Sequence, residues 1–94
     1  MRKRIIDKIR NSIRTDNYDM THHAVEEMAE DGLNIFDIEN AILTGEILKM
    51  DKNDPRGVKY LIKGLGNDKI TPIGIVGRFK ETGVFLIITV YRIS

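Results

Sequence analysis

Val84-Phe85-Leu86-Ile87-Ile88-Thr89-Val90-Tyr91 is the stretch of this sequence that decides its fold. Most of its side chains are β-branched or aromatic, and it follows a cluster of turn residues that ends at Gly83. A continuous apolar run bounded by turn residues is typical of a strand that is buried on both faces near the middle of a sheet. Such a strand needs neighbours to pair with and a layer to cover it. The stretch therefore predicts a fold built around a sheet.

Two polar side chains lie at the end of this strand. Because side chains alternate along a strand, Thr89 and Tyr91 are predicted to point to the same face. A pair of hydroxyl groups at the rim of a buried strand is typical either of a polar border of the core or of the wall of a binding site.

Three helices are predicted ahead of the strands. A stripe of isoleucines at helical spacing predicts an amphipathic first helix. Thr21 and Asn34 are favourable N-caps for the second and third helices, and Gly32 and Gly45 follow the points where these helices end. The three predicted helices run from Lys3 to about Thr15, from Thr21 to Asp31 and from Asn34 to Thr44.

Four strands are predicted after the third helix, because turn residues recur between short apolar runs. Gly74 and Gly77 lie inside the third of these runs and indicate a bulge or the close approach of another group. The segment from Asn17 to Met20, between the first two helices, is predicted to be a loop or a very short extended piece. The predicted strands cover residues 46–50, 58–63, 71–79 and 84–91.

This order of elements predicts an α+β fold, with the N-terminal helices packed on one face of a four-stranded antiparallel sheet. A chain of 94 residues suits one modest core, so we expect a single domain over residues 1–94. The sequence contains no cysteine, which excludes disulfide bonds and thiolate metal sites. No apolar run is long enough for a signal peptide or a membrane span, which predicts a soluble cytoplasmic protein without a membrane partner.

The net charge of +1 conceals a strong asymmetry along the chain. Residues 1–14 contain six Lys or Arg against one acidic residue, residues 15–54 contain two against eleven, and residues 55–94 contain seven against two. Basic and acidic faces are therefore expected in place of a uniformly neutral surface. The basic part fits a polyanionic partner, although such segregation is also common in proteins without one.

His22 and His23 are the only histidines of the sequence, and both lie in the first turn of the predicted second helix. Histidine is the usual proton carrier near neutral pH, so either one is a candidate acid or base, although an exposed helix residue is an equally ordinary role. Each also lies four residues before a glutamate, Glu26 or Glu27, as two ligands of a metal ion would. No third ligand is evident, so we expect no metal site and no other cofactor.

Basic side chains in the second half of the chain are candidates for binding phosphate. Lys59 and Lys63 share one face of a predicted strand, and antiparallel sheets often leave one face solvated. Lysines on such a face usually serve solubility alone. Beside Arg78, and with Tyr91 to stack on a base or donate a proton, they would form a phosphate-binding surface. The further basic candidates are Lys80 and Arg92.

Several segments together resemble a known family. The first half of the pattern is Thr21-His22-His23-Ala24, Met28, Gly32-Leu33 and Thr44-Gly45-Glu46-Ile47. The second half is Arg56-Gly57, Leu61-Ile62-Lys63-Gly64 and Ile88-Thr89-Val90-Tyr91. In their order and spacing these segments resemble the small bacterial domain of unknown function 4258, which looks like a branch of the RelE-like toxin fold.

This resemblance implies a RelE-like architecture, with a four-stranded antiparallel sheet and helices on one side. It also implies an RNA-cleaving toxin that is paired with an antitoxin and acts on free RNA or on the ribosome. The histidine before alanine is the typical one in this family, which favours His23 over His22. Thr89 and Tyr91 match the end of the family's last strand.

The chain departs from the family pattern at three positions. Members often have arginines where this chain has Glu27 and Asp31, and histidine or another polar residue where it has Gly74. These differences remove expected phosphate contacts. They favour a second hypothesis, a non-catalytic module of the same fold that binds RNA or an acidic protein segment.

The first hypothesis is a metal-independent endoribonuclease, the toxin of a bacterial type II toxin–antitoxin system. The ribose 2′-hydroxyl would attack the adjacent phosphate while a histidine or tyrosine exchanges protons, and basic side chains would stabilise the charge on the phosphorane. The predicted catalytic residues are His23, Arg78, Thr89 and Tyr91, and the predicted RNA-binding residues are Lys59, Lys63, Lys80 and Arg92.

Overall fold

Three helices and five strands make up residues 4–93, the part of the chain that the computed structural model describes. The three predicted helices and the four predicted strands are all present, each within two residues of its predicted bounds. Lys3, the predicted first residue of the first helix, lies outside the described residues. The elements are α1 (Ile5–Arg14), β1 (Tyr18–Met20), α2 (His22–Glu30), α3 (Ile35–Thr44), β2 (Glu46–Asp51), β3 (Lys59–Leu65), β4 (Pro72–Phe79) and β5 (Phe85–Arg92).

The sheet of the described residues is five-stranded and mixed, with the order β1-β5-β4-β3-β2. The prediction of a four-stranded antiparallel sheet was wrong, because β1 pairs in parallel with β5, Tyr18 beside Phe85 and Met20 beside Ile87. The other neighbouring strands are antiparallel. Three residues are too few to display the alternation that marks a strand, so β1 is specified by its distant partner and not by its local sequence.

β5 is second from one edge of the sheet, and the helices cover only one of its faces. Phe85, Ile87 and Val90 are fully buried, whereas Thr89 and Tyr91 are half-buried on the other face. The prediction that this strand is buried on both faces was therefore wrong. A run of β-branched and aromatic residues does not by itself reveal whether a second layer covers the strand.

One extra residue in β5 decides which of its side chains face the helices. Gly77 pairs with Ile87 and Val76 pairs with Thr89, so Ile88 is left over as a β-bulge. Strict alternation would put Ile87 and Thr89 on one face, but the bulge turns Thr89 to the opposite side. The prediction that Thr89 and Tyr91 share a face is confirmed, because both residues follow the bulge.

The face of the sheet that packs on the helices, here called the covered face, contains the core. α3 crosses β3 and β4, and α1 packs on α3. A Cβ at Gly64 would lie 1.8 Å from the carbonyl oxygen of Ala41, so only glycine allows α3 to approach β3 this closely. The buried core residues are Ile9, Ile13, Ala24, Leu33, Ile38, Ala41, Ile42, Tyr60, Ile62, Ile73, Ile75, Phe85, Ile87 and Val90.

Both predicted N-caps are confirmed. Thr21 Oγ1 accepts a hydrogen bond from the backbone N–H of Ala24 at 3.1 Å, and Asn34 forms a reciprocal capping box with Asp37. Each cap stabilises its helix by about 1 kcal/mol. Gly32 follows α2 with a φ of 68°, a left-handed conformation that glycine adopts without strain. These signals fix both ends of α2, and with them the position of the two histidines.

Candidate nucleic-acid interface

The other side of the sheet, here called the uncovered face, has no helix of residues 4–93 packed on it. Residues that pair directly across antiparallel strands have their side chains on the same side of the sheet. In one row across this face Tyr91 and Lys63 flank Gly74, and in the next row Thr89 and Leu61 flank Val76. The side chains of the uncovered face are Glu46, Lys49, Asp51, Lys59, Leu61, Lys63, Val76, Arg78, Leu86, Thr89 and Tyr91.

Arg78 lies on this face beside Leu86, two residues beyond Val76 along β4. Its side chain is half-buried, and its Nε is shielded from solvent without a hydrogen-bond partner among residues 4–93. No carboxylate of the described residues lies within ion-pair distance of its guanidinium. A guanidinium with unused donors is suited to bind the oxygens of a phosphate or carboxylate in pairs. Arg78 is therefore the strongest anion-binding candidate on the uncovered face.

Tyr91 lies across Gly74. A Cβ at position 74 would come within 2.3 Å of the Tyr91 Cζ atom, so the ring occupies the space of a larger side chain. Glycine at this position therefore leaves the space that the ring occupies. The ring extends from β5 over β4 towards Lys63, which lies in the same row. Because the side chain is half-buried, part of the ring is available for stacking.

Lys59 lies next to Arg78 and is surrounded by acidic groups. Its Nζ is 3.8 Å from a carboxylate oxygen of Asp51 and 3.8 Å from one of Asp54. Hydrogen bonds from Arg56 lower the pKa of Asp54 to about 2, so this carboxylate is ionised at neutral pH. Both contacts are longer than a hydrogen bond, so neither acid holds the ammonium group firmly. Lys59 therefore remains accessible to a phosphate that competes for it.

The remaining basic candidates have different surroundings. Lys63 is exposed and shares the row of Tyr91. Lys80 follows β4 and donates to Asp19 at 3.2 Å. Arg92 donates through its guanidinium to the carbonyl oxygen of Asp31 at 3.0 Å, at the end of α2. The structure therefore places Lys63 and Lys80 on or near the uncovered face and Arg92 apart from it.

The two histidines begin α2 and each pairs with a glutamate one turn later. His22 Nε2 is 2.8 Å from Glu26 Oε1, and His23 Nε2 is 3.3 Å from Glu27 Oε1. The side chains of His22 and His23 are 88% and 67% exposed, respectively. Of these two contacts, only the one between His23 and Glu27 connects a histidine to the sheet, because Glu27 also accepts a hydrogen bond from β5.

Two hydrogen bonds anchor α2 beside β5 and so position His23. Thr21 Oγ1 donates to the carbonyl oxygen of Ile88 at 3.1 Å, and Glu27 Oε1 accepts from the backbone N–H of Val90 at 3.2 Å. Residues four apart lie on the same side of a helix, so His23 shares the row of Glu27 that faces β5. His23 therefore lies between Thr21 and Glu27 in the sequence, and Thr89 lies between their partners in β5, Ile88 and Val90.

Thr89 connects three members of the predicted catalytic set, because Tyr91 follows it by two residues in β5 and Arg78 lies two residues from its partner Val76 on β4. His23 is linked to β5 through Glu27, which accepts from the N–H of the next residue, Val90. The structure does not direct all four side chains at one point, because the ring of Tyr91 leans over Gly74 and the imidazole of His23 binds Glu27.

α2 takes the place of a strand along the second half of β5. Glu27 Oε1 accepts from the N–H of Val90, and Asp31 Oδ2 accepts from the N–H of Arg92 at 2.8 Å. Four residues of helix rise by about 6 Å, close to the length of two residues in a strand, so carboxylates four apart reach alternate N–H groups. In the sequence Glu27 stood out as a possible metal-ligand partner of His23, and both acids as lost phosphate contacts. Their role at β5 was missed because it depends on a distant partner strand.

A depression of about 210 Å³ opens on the uncovered face between β2, β3 and β4. Alternation along a strand predicts which side chains are solvated but not that they enclose a hollow, so no feature of the sequence predicted the depression. The residues that line it are Lys49, Asp51, Lys59, Tyr60, Leu61 and Val76.

Residues 4–93 contain no group of three or more His, Cys, Asp or Glu side chains arranged to hold a metal ion. None of the helices in that range combines the length and apolar character needed to cross a membrane. The groups that the uncovered face presents to a ligand are mostly cationic, hydroxyl-bearing, aromatic and aliphatic side chains, with the carboxylates of Glu46 and Asp51 on β2.

The family model described as "Domain of unknown function (DUF4258)" matches residues 20–92. The matched segment runs from just before the N-cap of α2 to the end of β5, and it includes both histidines and every side chain of the uncovered face. No curated protein and no solved structure matches the chain.

Proposed function

We propose that this chain, which belongs to the family of domain of unknown function 4258, is the RelE-like toxin of a bacterial type II toxin–antitoxin pair. In this proposal it cleaves RNA in the cytoplasm without a metal ion. The observation that carries the proposal is Arg78, a half-buried arginine on the uncovered face without an acidic partner among residues 4–93. Burying part of a guanidinium without a counter-charge is costly, which favours a ligand that brings an anion to it.

The uncovered face offers an RNA strand both positive charge and a stacking surface. Arg78 binds one phosphate through two hydrogen bonds, and Lys59 and Lys63 neutralise neighbouring phosphates. Tyr91 supports an unpaired base, a contact that typically contributes about 1–3 kcal/mol. Bases that are stacked on protein must first leave a duplex, so single-stranded RNA is the expected substrate.

Cleavage uses the RNA's own nucleophile. The 2′-oxygen attacks phosphorus and the bond from phosphorus to the 5′-oxygen breaks, which leaves a 2′,3′-cyclic phosphate and a 5′-hydroxyl end. His23 accepts the proton of the 2′-hydroxyl, and Tyr91 donates a proton to the 5′-oxygen. This acid–base help is typically worth about 100- to 10,000-fold in rate. The nearby Glu27 carboxylate supports the assignment of His23, because a carboxylate orients a histidine base.

Charge that develops on the phosphorane is stabilised by Arg78 and by the hydroxyl of Thr89. A well-placed donor of this kind typically contributes about 3–4 kcal/mol to the transition state. The antitoxin partner is expected to cover the same face with an acidic segment and so to compete with RNA.

A second candidate is a non-catalytic module that binds RNA or an acidic protein segment on the uncovered face. It is favoured by the position of Tyr91, whose ring lies over Gly74 and is directed away from His23 at the sheet edge. The two proton carriers do not meet in this conformation. Cleavage requires one phosphodiester of the RNA to reach both of these groups at once, whereas binding alone does not.

The test measures binding and cleavage together. Protein is mixed with a single-stranded RNA that carries 5′-fluorescein, in EDTA, and fluorescence anisotropy reports binding while gel electrophoresis reports products. Arg78→Gln should weaken binding at least about tenfold and abolish cleavage, because it removes the charge but keeps much of the side chain. Arg56→Gln is the matched control: this arginine lies in the turn after β2 and pairs with Asp54. Its binding and cleavage should equal those of the wild type.

Two further variants separate the candidates. His23→Ala and Tyr91→Phe should bind RNA nearly as well as the wild type but cleave it at least about 100-fold more slowly. Binding by the wild type without any product would support the non-catalytic module. Equal binding by the wild type and Arg78→Gln, or cleavage that none of the three substitutions slows, would contradict the proposal.

A further inference from the structure

The depression on the uncovered face has an apolar floor. Leu61 and Val76 form it, and they pair directly across β3 and β4. Both side chains are half-buried, so they present apolar surface to whatever enters. Exposed aliphatic side chains on a sheet provide a platform of the kind on which the face of an aromatic base packs.

The rim of the depression contains an acidic group with unused acceptor capacity. Asp51 Oδ1 accepts a hydrogen bond from the N–H of Asn53 at 2.9 Å, whereas Oδ2 is 3.8 Å from Lys59 Nζ, longer than a hydrogen bond. The side chain of Asp51 is 42% exposed. Because a carboxylate offers about four lone pairs, both of its oxygens have room for donors from a ligand.

The depression adjoins the phosphate-binding candidate. Val76, at its floor, lies two residues before Arg78 and pairs with Thr89. Alternate residues of a strand are about 6.6 Å apart on the same face, so a base above Val76 has its own phosphate within reach of the guanidinium. Base and phosphate would therefore occupy one continuous site.

We propose that this depression binds a guanine base of single-stranded RNA, with Asp51 accepting hydrogen bonds from N1–H and the 2-amino group. The inference rests on the proposed function, because it takes the uncovered face to be the RNA-binding face. Guanine presents two adjacent N–H donors on its Watson–Crick edge, which match the two oxygens of a carboxylate. Adenine and cytosine present an acceptor beside their single amino group, and uracil presents acceptors on both sides of N3–H. The carboxylate of Asp51 therefore selects guanine.

The experiment is an NMR titration of protein labelled at its leucine and valine methyl groups. The probes are guanosine, adenosine, cytidine and uridine 5′-monophosphates and inorganic phosphate, at one ionic strength. We expect the guanosine nucleotide to shift the methyl resonances of Leu61 and Val76 and to bind at least about tenfold more tightly than the other three. Equal binding of all four nucleotides, or shifts at these methyl groups with inorganic phosphate alone, would overturn the proposal.

Two variants test the role of the carboxylate. Asp51→Asn replaces one acceptor by an amino group and should abolish the guanosine preference, with thermal unfolding as the check on folding. Lys49→Gln, on the same rim, should weaken all four nucleotides alike and keep the preference. A guanosine preference that survives in a folded Asp51→Asn protein would overturn the assignment.

The two proposals fail separately. RNA binding that depends on Arg78 without any guanosine preference would leave the proposed function in place and reject the base site. A guanosine preference that depends on Asp51, together with RNA binding that Arg78→Gln leaves unchanged, would support the base site and reject the role given to Arg78.

Discussion

On each face of the sheet an aromatic ring of β5 packs over a glycine of β4, but the two rings differ in burial. On the covered face Phe85 of β5 lies over Gly77 of β4, and on the uncovered face Tyr91 of β5 lies over Gly74. Phe85 is fully buried and packs edge-to-face on Phe79 with ring centroids 5.1 Å apart. Tyr91 is half-buried and keeps a hydroxyl group at the rim of the strand.

Phe85 and Tyr91 therefore differ in whether helices cover the side chain, and not in how it packs on the neighbouring strand. The bulge at Ile88 makes this difference possible, because Phe85 precedes it and Tyr91 follows it in one strand. Substitutions on the covered face should therefore lower stability, and substitutions on the uncovered face should lower RNA binding. Neighbouring residues of one strand should behave differently.

The largest difference is expected between Ile75 and Val76. Ile75→Ala should lower the free energy of unfolding by about 2–5 kcal/mol, because Ile75 is fully buried on the covered face. Val76→Ala, at the next position on the uncovered face, should lower it by about 1 kcal/mol or less. Urea denaturation followed by circular dichroism measures both values. Equal losses of unfolding free energy in the two variants would contradict the claim that only the covered face contributes strongly to stability.

Alanine at the two glycine positions should have different effects: Gly77→Ala should mainly lower stability, and Gly74→Ala should mainly weaken RNA binding. Gly77→Ala places a Cβ 2.5 Å from the Phe85 Cζ and should lower the free energy of unfolding by about 1–3 kcal/mol. Gly74→Ala should lower it less, because the ring of Tyr91 can turn towards solvent, but it should weaken RNA binding about tenfold. Urea denaturation and fluorescence anisotropy give the two readouts. Wild-type RNA affinity in Gly74→Ala would mean that the position of Tyr91 does not matter for binding.

The edge of β5 belongs to neither face, and substitutions of the helix residues that bind it should lower the free energy of unfolding by a smaller amount. Glu27→Ala should lower the free energy of unfolding by about 1–2 kcal/mol, because it leaves the N–H of Val90 without its acceptor. Glu27→Gln retains an acceptor oxygen and is the matched control, with a smaller expected loss. Hydrogen exchange at the Val90 amide should become faster in Glu27→Ala than in Glu27→Gln. Equal exchange rates in the two variants would argue against the capping role of Glu27.

The smallest effect is expected at the turn between β3 and β4. Hydrogen bonds from the Thr71 hydroxyl, and then from the backbone N–H groups of Thr71 and Ile70, lower the pKa of Asp68 from 3.8 to about 2. A carboxyl group whose pKa is lower in the folded state stabilises the fold above its unfolded pKa, and this stability is lost as the pH falls from about 4 to about 2. Urea midpoints of the wild type should therefore fall more steeply over this range than those of Asp68→Asn. Parallel pH profiles would contradict the assignment.

Local signals in the sequence were sufficient for most elements of the fold. The caps at Thr21 and Asn34 and the glycine after α2 act within one turn of helix, so a single sequence displays them. A very short extended piece at residues 17–20 was one of two predicted alternatives, but the pairing of β1 with β5 was missed because the two segments lie far apart in the chain. The extra residue at Ile88 was missed because it is defined by the register with β4. The sequence predicted that helices pack on one face of the sheet, but it could not show which side chains of β5 lie on that face, because the bulge decides this.

In the candidate site, too, the sequence predicted the features that depend on local pattern and not those that depend on distant partners. Alternation along strands predicted that Lys59 and Lys63 share a face, and the structure adds Arg78 and Tyr91 to that face. The sequence could not reveal that Arg78 lacks an acidic neighbour among residues 4–93, since this depends on packing between strands. Arg92 was included with the basic set, yet it contacts the end of α2 instead.

The most direct test of the account is an NMR map of RNA contacts at alternate residues. Protein labelled at isoleucine, leucine and valine methyl groups is titrated with single-stranded RNA, after His23→Ala substitution to prevent cleavage. We expect shifts at Leu61, Val76 and Leu86 on the uncovered face. We expect little change at Ile62, Ile75 and Ile87, their neighbours in sequence on the covered face. Shifts confined to the helices, or no shifts at any of the three uncovered methyl groups, would contradict it.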